Sequence, residues 1–369
     1  GTVRVEGHAA GMTISWLLMA AHVPASGQRG GMVRYVVEFA RAVSVHPDVE
    51  LHVVADPEAT GFWRSIVGDP RRIHPMVSAP TAAQALLERR GRGSAAFAER
   101  FDVVHGAKHV LPSHPRGAGL LTVHDFLPLD RPGDFGRLKR RLLPGPYLAS
   151  IREASALVCV SEATRDRLCG YVPQARANAH VVPLAGGGLL SVPDELVSEL
   201  QERRFALVVG DDSARKNLRF LVDLWPAVTA EHPDAVLAIV GPPSWKGEEQ
   251  RPDPKGVRRL GFLSDGQLAW AYRNASVVLC PSVLEGFGLP AREALDLGAR
   301  LITSEDPAMC EVSGDRAVHL RAVDPGPWVA AITDAMGGPR HAGSPPGGVR
   351  QWSDVADETV EVMQRVLHS

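Results

Sequence analysis

The chain has 369 residues, 45% apolar and 22% charged, with a formal net charge of −2. That balance is ordinary for a soluble globular protein without a nucleic-acid partner, and no apolar run approaches the roughly 20 residues of a membrane span. The length favours two domains, because a single core rarely grows past roughly 250–300 residues. Charge is spread unevenly. Residues 1–190 carry 22 Lys+Arg and 16 Asp+Glu, and the remainder carries 18 and 26. A basic first half suits an anionic acceptor or an acidic membrane surface, with a mixed solvated surface as the alternative. Cys159, Cys169, Cys280 and Cys310 stand at no metal-ligand spacing, which points to a reduced, cytoplasmic setting.

Residues 1–11 read as an extension or an expression remnant, with Met12 as a natural start. Ile14 to Ala21 is an apolar run that reads as a first strand rather than a signal-peptide core, since it lacks a basic leader. A glycine loop follows at Ser26-Gly27-Gln28-Arg29-Gly30-Gly31. Met32, Val36, Phe39, Ala40 and Val43 then recur at helical spacing, with Arg34, Glu38 and Arg41 on the opposite face. Further buried strands are predicted at Leu51 to Ala55, Asp102 to His105, Gly119 to Asp125 and Ala156 to Val160. The last of these runs into Ser161, a good N-cap for a helix over Glu162 to Leu168. Arg137 to Leu143 is basic and partly amphipathic, which would suit a membrane surface or an anionic lipid-linked acceptor; a solvated helix face is the alternative.

Val181 to Gly188 breaks the alternation, and its triple glycine is permissive enough for a hinge, so a domain boundary is placed near residue 190. A second α/β series begins at Phe205 to Gly210 and continues through Ala235 to Gly241 and Ala275 to Pro281. Gly337 to Gly348 reads as a loop, and a closing helix is predicted from about Ser353 to Leu367.

The most informative stretch is Ser282-Val283-Leu284-Glu285-Gly286-Phe287-Gly288-Leu289-Pro290-Ala291-Arg292-Glu293. A strand precedes it, and a helix with proline in its first turn and Gly298 as its stop follows. Strand, glycine loop and helix aim free backbone N–H groups and a positive helix end at an anion. Glutamates on either side of that anion can take sugar hydroxyls. The combination suits a sugar attached to a phosphate.

Several separate pieces, in one order, resemble the retaining GT-B glycosyltransferases of family 4. In the second half, Val209-Gly210-Asp211-Asp212-Ser213-Ala214-Arg215-Lys216-Asn217-Leu218 looks like the family's phosphate loop. Val257 to Ser264 looks like its base-contacting turn, and Glu285 to Glu293 like its paired-glutamate element. The first half is looser: Gly30-Gly31 opening a helix, His124-Asp125-Phe126-Leu127-Pro128-Leu129, Val160-Ser161-Glu162 and Val182-Pro183-Leu184. The resemblance implies an α/β protein of GT-B fold, two Rossmann-like domains facing across a cleft. Residues 12–190 would bind the acceptor, residues 191–345 the nucleotide sugar, and residues 346–369 would cross back onto the first domain.

It also implies a reaction, the transfer of a sugar from a nucleoside diphosphate to an acceptor hydroxyl, with GDP-mannose or dTDP-rhamnose favoured and a UDP-sugar possible. Lys216 would charge the diphosphate with Arg215 beside it, and the N–H groups around Gly286, Phe287, Gly288 and Leu289 would complete the anion site. Glu285 would hold the transferred sugar and Glu293 the ribose, while the backbone of Phe262 and Leu263 would meet the base. His124 would face the donor sugar from the first domain, and Gly30 and Gly31 would line the cleft. Relatives often carry a basic residue where this chain has Asp211, which puts one diphosphate contact in doubt. No cofactor or obligatory metal is implied, and the Asp211-Asp212 pair is not read as a metal site. The alternatives are a nucleotide-sugar epimerase, a glycan phosphorylase, and a catalytically inactive sugar-nucleotide-binding partner subunit.

Overall fold

The computed structural model describes residues 13–27, 30–77, 79, 81–242, 252–338 and 347–369. Thirteen strands among them form two parallel sheets. The first contains β1 (Ile14–Met19), β2 (Val49–Ala55), β3 (Ile73–Pro75), β4 (Val103–Gly106), β5 (Ala118–Val123), β6 (Ala156–Cys159) and β7 (Ala179–Val181), in spatial order 3-2-1-4-5-6-7. The second contains β8 (Phe205–Val209), β9 (Val236–Val240), β10 (Val257–Gly261), β11 (Val277–Cys280), β12 (Leu301–Ser304) and β13 (Ala317–Leu320), in order 10-9-8-11-12-13. The central strands are continuous apolar runs because helices cover both faces of each sheet, leaving no wet side to demand alternation.

Each sheet reverses its strand order once, between β1 and β4 and between β8 and β11. A crevice opens beyond the carboxyl ends of the strands at such a point, because the connecting helices leave in opposite directions. The loops after β1, β4 and β5 supply Gly30, Lys108 and His124. Those after β8 and β11 supply Lys216 and Glu285.

The closing helix, Trp352–Leu367, packs on the first sheet's core. Trp352, Val355, Ala356, Val360 and Met363 join Trp16, Val36, Phe39 and Leu120 in one apolar cluster, and the indole of Trp352 donates to the Gly186 carbonyl at 2.6 Å.

Five strands were not readable from hydropathy. β3, β7, β12 and β13 are three or four residues long, too short to show a period, and β10 (Val-Arg-Arg-Leu-Gly) carries two exposed arginines on a sheet edge. The segment expected as a turn over Val257 to Ser264 is thus a strand first, and turns only at Gly261, where φ is +67°. The expected N-terminal extension, and residues 339–346 of the expected glycine–proline loop, lie outside the described residues.

The triple glycine owes its composition to packing as well as to freedom. A Cβ on Gly186 would lie 2.2 Å from Asp296 Oδ2, and one on Gly187 would lie 2.4 Å from both Arg34 Nη1 and Glu293 Oε1. Only Gly188, at φ +72°, needs glycine for its backbone conformation alone.

Candidate active site

At the switch point of the second sheet, three charged side chains meet. Glu285, from the loop after β11, is 8% exposed. Its Oε1 accepts from Lys216 Nζ at 2.6 Å, and its Oε2 from Arg215 Nη1 at 3.0 Å. Burial alone would raise the carboxyl's pKa. The charges of Lys216 and Arg215, with hydrogen bonds from Lys216 and Ser282, outweigh it and hold the pKa down at about 2. The loop that delivers the two cations is itself pinned. Val283 N–H donates to the Arg215 carbonyl at 2.8 Å. Asn217, in the left-handed region at φ +54°, donates its amide to the Ala322 carbonyl at 2.9 Å. Asp211 caps its own loop through Ser213 N–H at 3.1 Å, and Asp212 pairs with Arg259 at 2.7 Å. Burial works against the Arg215 charge, while Glu285 first and Asp211 next favour it.

Beyond Glu285, Gly288 (φ +97°) starts the helix Leu289–Asp296, whose first turn holds Pro290. Glu293, one turn in, is 4% exposed and has both carboxylate oxygens engaged. Arg34 Nη1 donates to Oε1 at 2.5 Å, and the Tyr272 hydroxyl donates to Oε2 at 2.8 Å. Arg34 belongs to the first domain's helix Gly30–Ser44 and also reaches Asp265 Oδ1 at 2.5 Å. The helical spacing sets Arg34 on the face opposite the apolar stripe, and from there its side chain crosses to the other domain. At the head of the same helix, a Cβ on Gly31 would meet Leu289 Cδ1 at 3.3 Å, so two helix starts are seated side by side.

Other contacts close the domains on each other. A Cβ on Gly286 would lie 1.7 Å from the His124 carbonyl oxygen, so only glycine permits that approach. The Gly286 carbonyl accepts from Ser161 Oγ at 2.6 Å and Thr164 Oγ1 at 2.9 Å. Ser161 also caps its helix, Glu162–Tyr171, through Thr164 N–H at 3.0 Å. Glu311 reaches over from the second domain to accept from Glu162 and Ala163 N–H at 2.8 and 3.0 Å, a carboxylate on a positive helix end.

On the first-domain side, His124 is buried, and its Nε2 lies 3.0 Å from the Ala107 carbonyl. A carbonyl only accepts, so Nε2 carries the proton and Nδ1 is the ring's acceptor. Burial lowers its pKa, countered in part by the Ala107 contact and Asp125, so the ring stays neutral. Tyr35 packs edge-on against it at 4.6 Å, and the Tyr35 hydroxyl and His105 Nε2 both meet Thr122 Oγ1 at 2.8 Å. His22 and His109 gather near it, each with its pKa lowered first by burial and further by the charge of Lys108, whose own pKa burial also lowers. Among the described residues, buried His22 Nε2 and His109 Nδ1 meet no hydrogen-bond partner.

Glu285, Lys216 and Arg215 thus form one cluster, while Glu293, Gly288 and Leu289 sit on the adjoining helix start. Phe262 and Leu263 lie at the turn after β10, Phe262 exposed and Leu263 partly so. The sequence reading missed Arg34, Tyr272, Glu311 and the ring of His22, Lys108 and His109. The available signal for Arg34 was a cation one turn beyond a glycine pair that opens a helix. Tyr272 and Glu311 lie on ordinary helices, and His22, Lys108 and His109 in loops after β1 and β4, none of which announces a partner.

Residues 29–185 match the model for "Glycosyltransferase Family 4", and residues 197–342 that for "Glycosyl transferases group 1". Among curated proteins, the chain is 27% identical over 231 residues to O-antigen chain mannosyltransferase B of Escherichia coli, covering 58% of this chain and 59% of that protein. It is also 27% identical over 328 residues to MMP alpha-(1->4)-mannosyltransferase of Mycolicibacterium hassiacum, covering 78% of this chain and 74% of that one. In fold it is similar to sucrose-phosphate synthase from Thermosynechococcus elongatus, with a TM-score of 0.71 at 17% identity over 96% of this chain and 99% of that one. A glycosyltransferase from Rickettsia africae gives 0.64 at 12% identity, over 96% and 99%. These relatives lend no support to the epimerase, phosphorylase or partner-subunit alternatives. No described helix is long and apolar enough to cross a membrane.

Proposed function

We propose that this chain, a glycosyltransferase of GT-B fold with a family 4 first half and a group 1 second half, moves a hexose or deoxyhexose from a nucleoside-diphosphate sugar to an acceptor hydroxyl with retained anomeric configuration. The observation that carries the reading is Glu285 held ionised between Lys216 and Arg215 at the strand-order switch, beside a helix start bearing Glu293. Mannose is the favoured sugar because both relatives named above are mannosyltransferases, which puts GDP-mannose ahead of dTDP-rhamnose and UDP-sugars.

As the glycosidic bond breaks, negative charge grows on the diphosphate and positive charge at the anomeric carbon. Lys216, Arg215 and the N–H groups of the Leu289 helix start meet the first, and Glu285 steadies the second while accepting from sugar hydroxyls. Glu293 takes the ribose, the backbone of Phe262 and Leu263 meets the base, and His124 Nδ1 accepts from a sugar hydroxyl. Attack occurs on the leaving-group face, and the departing phosphate oxygen takes the acceptor's proton. This chemistry requires no metal and no cofactor. Residues 12–190 carry the acceptor, residues 191–345 the donor, and the cross-cleft contacts part to admit substrates. We place the enzyme in the cytoplasm. The exposed basic helix Arg137–Leu142, with Leu138 67% exposed, is the face suited to an anionic membrane surface or lipid-linked acceptor.

Calorimetry with GDP, UDP and dTDP, followed by transfer assays with the matching sugars, tests the assignment. Lys216→Met removes one charge-assisted phosphate contact, worth about 1.5–3 kcal/mol, so nucleoside-diphosphate affinity falls tenfold or more. Unchanged affinity takes Lys216 off the phosphates.

A further inference from the structure

Arg34 sits one helical turn past Gly30, and its guanidinium leaves its own domain to bridge two carboxylates of the other, Glu293 and Asp265, each at 2.5 Å. The Asp265 end is half-exposed and contributes little. The Glu293 end is buried, with Tyr272 on the second oxygen and the Gly187 backbone pressed over the pair so closely that a Cβ would touch both partners.

A carboxylate that recognises the vicinal hydroxyls of a ribose accepts one O–H on each oxygen, and each oxygen has two lone-pair positions. Arg34 occupies one position on Oε1 and Tyr272 one on Oε2, which leaves one on each. Three elements from two domains thereby fix the plane of a side chain that would otherwise rotate. We propose that Arg34 is a positioning residue for the donor ribose, holding Glu293 across the cleft so that recognition of the ribose hydroxyls depends on domain closure. The proposal rests on the reading of Glu293 as the ribose carboxylate. Nothing in the helical pattern of Gly30–Ser44 requires an arginine there, and its partner lies 259 residues away.

The test compares the calorimetric affinity of GDP, UDP and dTDP with that of the 3′-deoxy form of each, using the full chain. In the wild type, the tightest-binding nucleotide loses tenfold or more on removal of the 3′-hydroxyl. Arg34→Gln abolishes most of that preference while leaving affinity for the 3′-deoxy form within about twofold of wild type, because a loosened carboxylate no longer meets the hydroxyl. Arg34→Lys keeps the charge but cannot bridge Glu293 and Asp265 together, so its preference falls between the two. It carries the test alone if Arg34→Gln does not fold. A full wild-type preference in the variants, or a larger one because Arg34 had been competing with the ribose, overturns the proposal. If Glu293→Gln keeps the preference, or the wild type has none, then Glu293 is not the ribose ligand; that reading fails first and takes this one with it. If none of the three nucleotides binds, the donor assignment itself is overturned.

Discussion

Replacing Glu285 by glutamine removes one charge and almost no volume, so its consequences follow from electrostatics alone. The carboxyl's pKa is held at about 2 against an ordinary 4.5, with Lys216 and Arg215 outweighing its burial. That difference corresponds to about 3 kcal/mol of folding stability at neutral pH. The native value is the lower one, so the contribution is complete above about pH 4.5 and is lost as pH falls toward 2. On the order of 1 kcal/mol of it is gone by pH 3.5. Glutamine in its place leaves two largely buried cations beside a neutral amide, and breaking a buried pair from one side costs about 3–5 kcal/mol, in line with the linkage figure. Urea unfolding of both proteins at pH 7, 5 and 3.5 should give a gap of about 3 kcal/mol that narrows by on the order of 1 kcal/mol at the lowest pH. A saturating nucleoside diphosphate should restore part of the loss, because phosphate oxygens replace the missing carboxylate as the cations' partner. Transfer should fall by orders of magnitude while nucleotide affinity is no weaker than in the wild type. A gap below about 1 kcal/mol at pH 7, or one that does not change with pH, refutes the reasoning.

Two further predictions concern the frame of the site. His105 is fully buried against Trp16 and Phe39, and burial, with a smaller repulsion from His124, lowers its pKa from 6.5 to about 3. The unfolded chain therefore binds a proton that the native one refuses as pH drops below 6.5, costing about 2 kcal/mol of stability by pH 5. His105→Asn should flatten the wild-type decline in urea-derived stability between pH 7.5 and 5 by that amount, and an equal decline in both proteins would clear His105 of the effect. Gly187→Ala drives a methyl to 2.4 Å from Arg34 Nη1 and Glu293 Oε1, which should cost about 1–3 kcal/mol and weaken nucleotide binding. Gly188→Ala meets nothing within 4 Å but keeps a left-handed backbone, so it should cost about 1 kcal/mol and spare binding, a contrast read by thermal shift and calorimetry. Equal binding losses in the two would mean that space at Gly187 is not what matters.

The strand, glycine loop and helix around Glu285 were legible because each has a local signature: an apolar run, residues able to take positive φ, and proline in a first turn followed by a glycine stop. The central strands were legible for the same reason. The edge strands and the interior β12 were not, since β3, β7, β12 and β13 mix polar with apolar residues over three or four positions and Val257–Gly261 carries arginines toward solvent. Ser161 shows the limit at a single residue. Its capping of Thr164 N–H is a local bond that the sequence announces, whereas its second bond, to the Gly286 carbonyl 125 residues away, has no local signal. The glycines at 186 and 187 were read as freedom and prove to be clearance for Asp296, Glu293 and Arg34.

By itself, the sequence determined the two α/β series, the anion-directed turn and the kinds of side chain delivered to the strand ends, because those depend on neighbours within a helical turn or a strand. Tertiary structure alone decided who meets whom. Strand order sets β8 beside β11, so Lys216 reaches Glu285 across 69 residues, and apposition of the two sheets carries Arg34 to Glu293 across 259. Periodicity reports which face of an element is apolar, but an ion pair between loops is fixed by where the folded sheets place their ends.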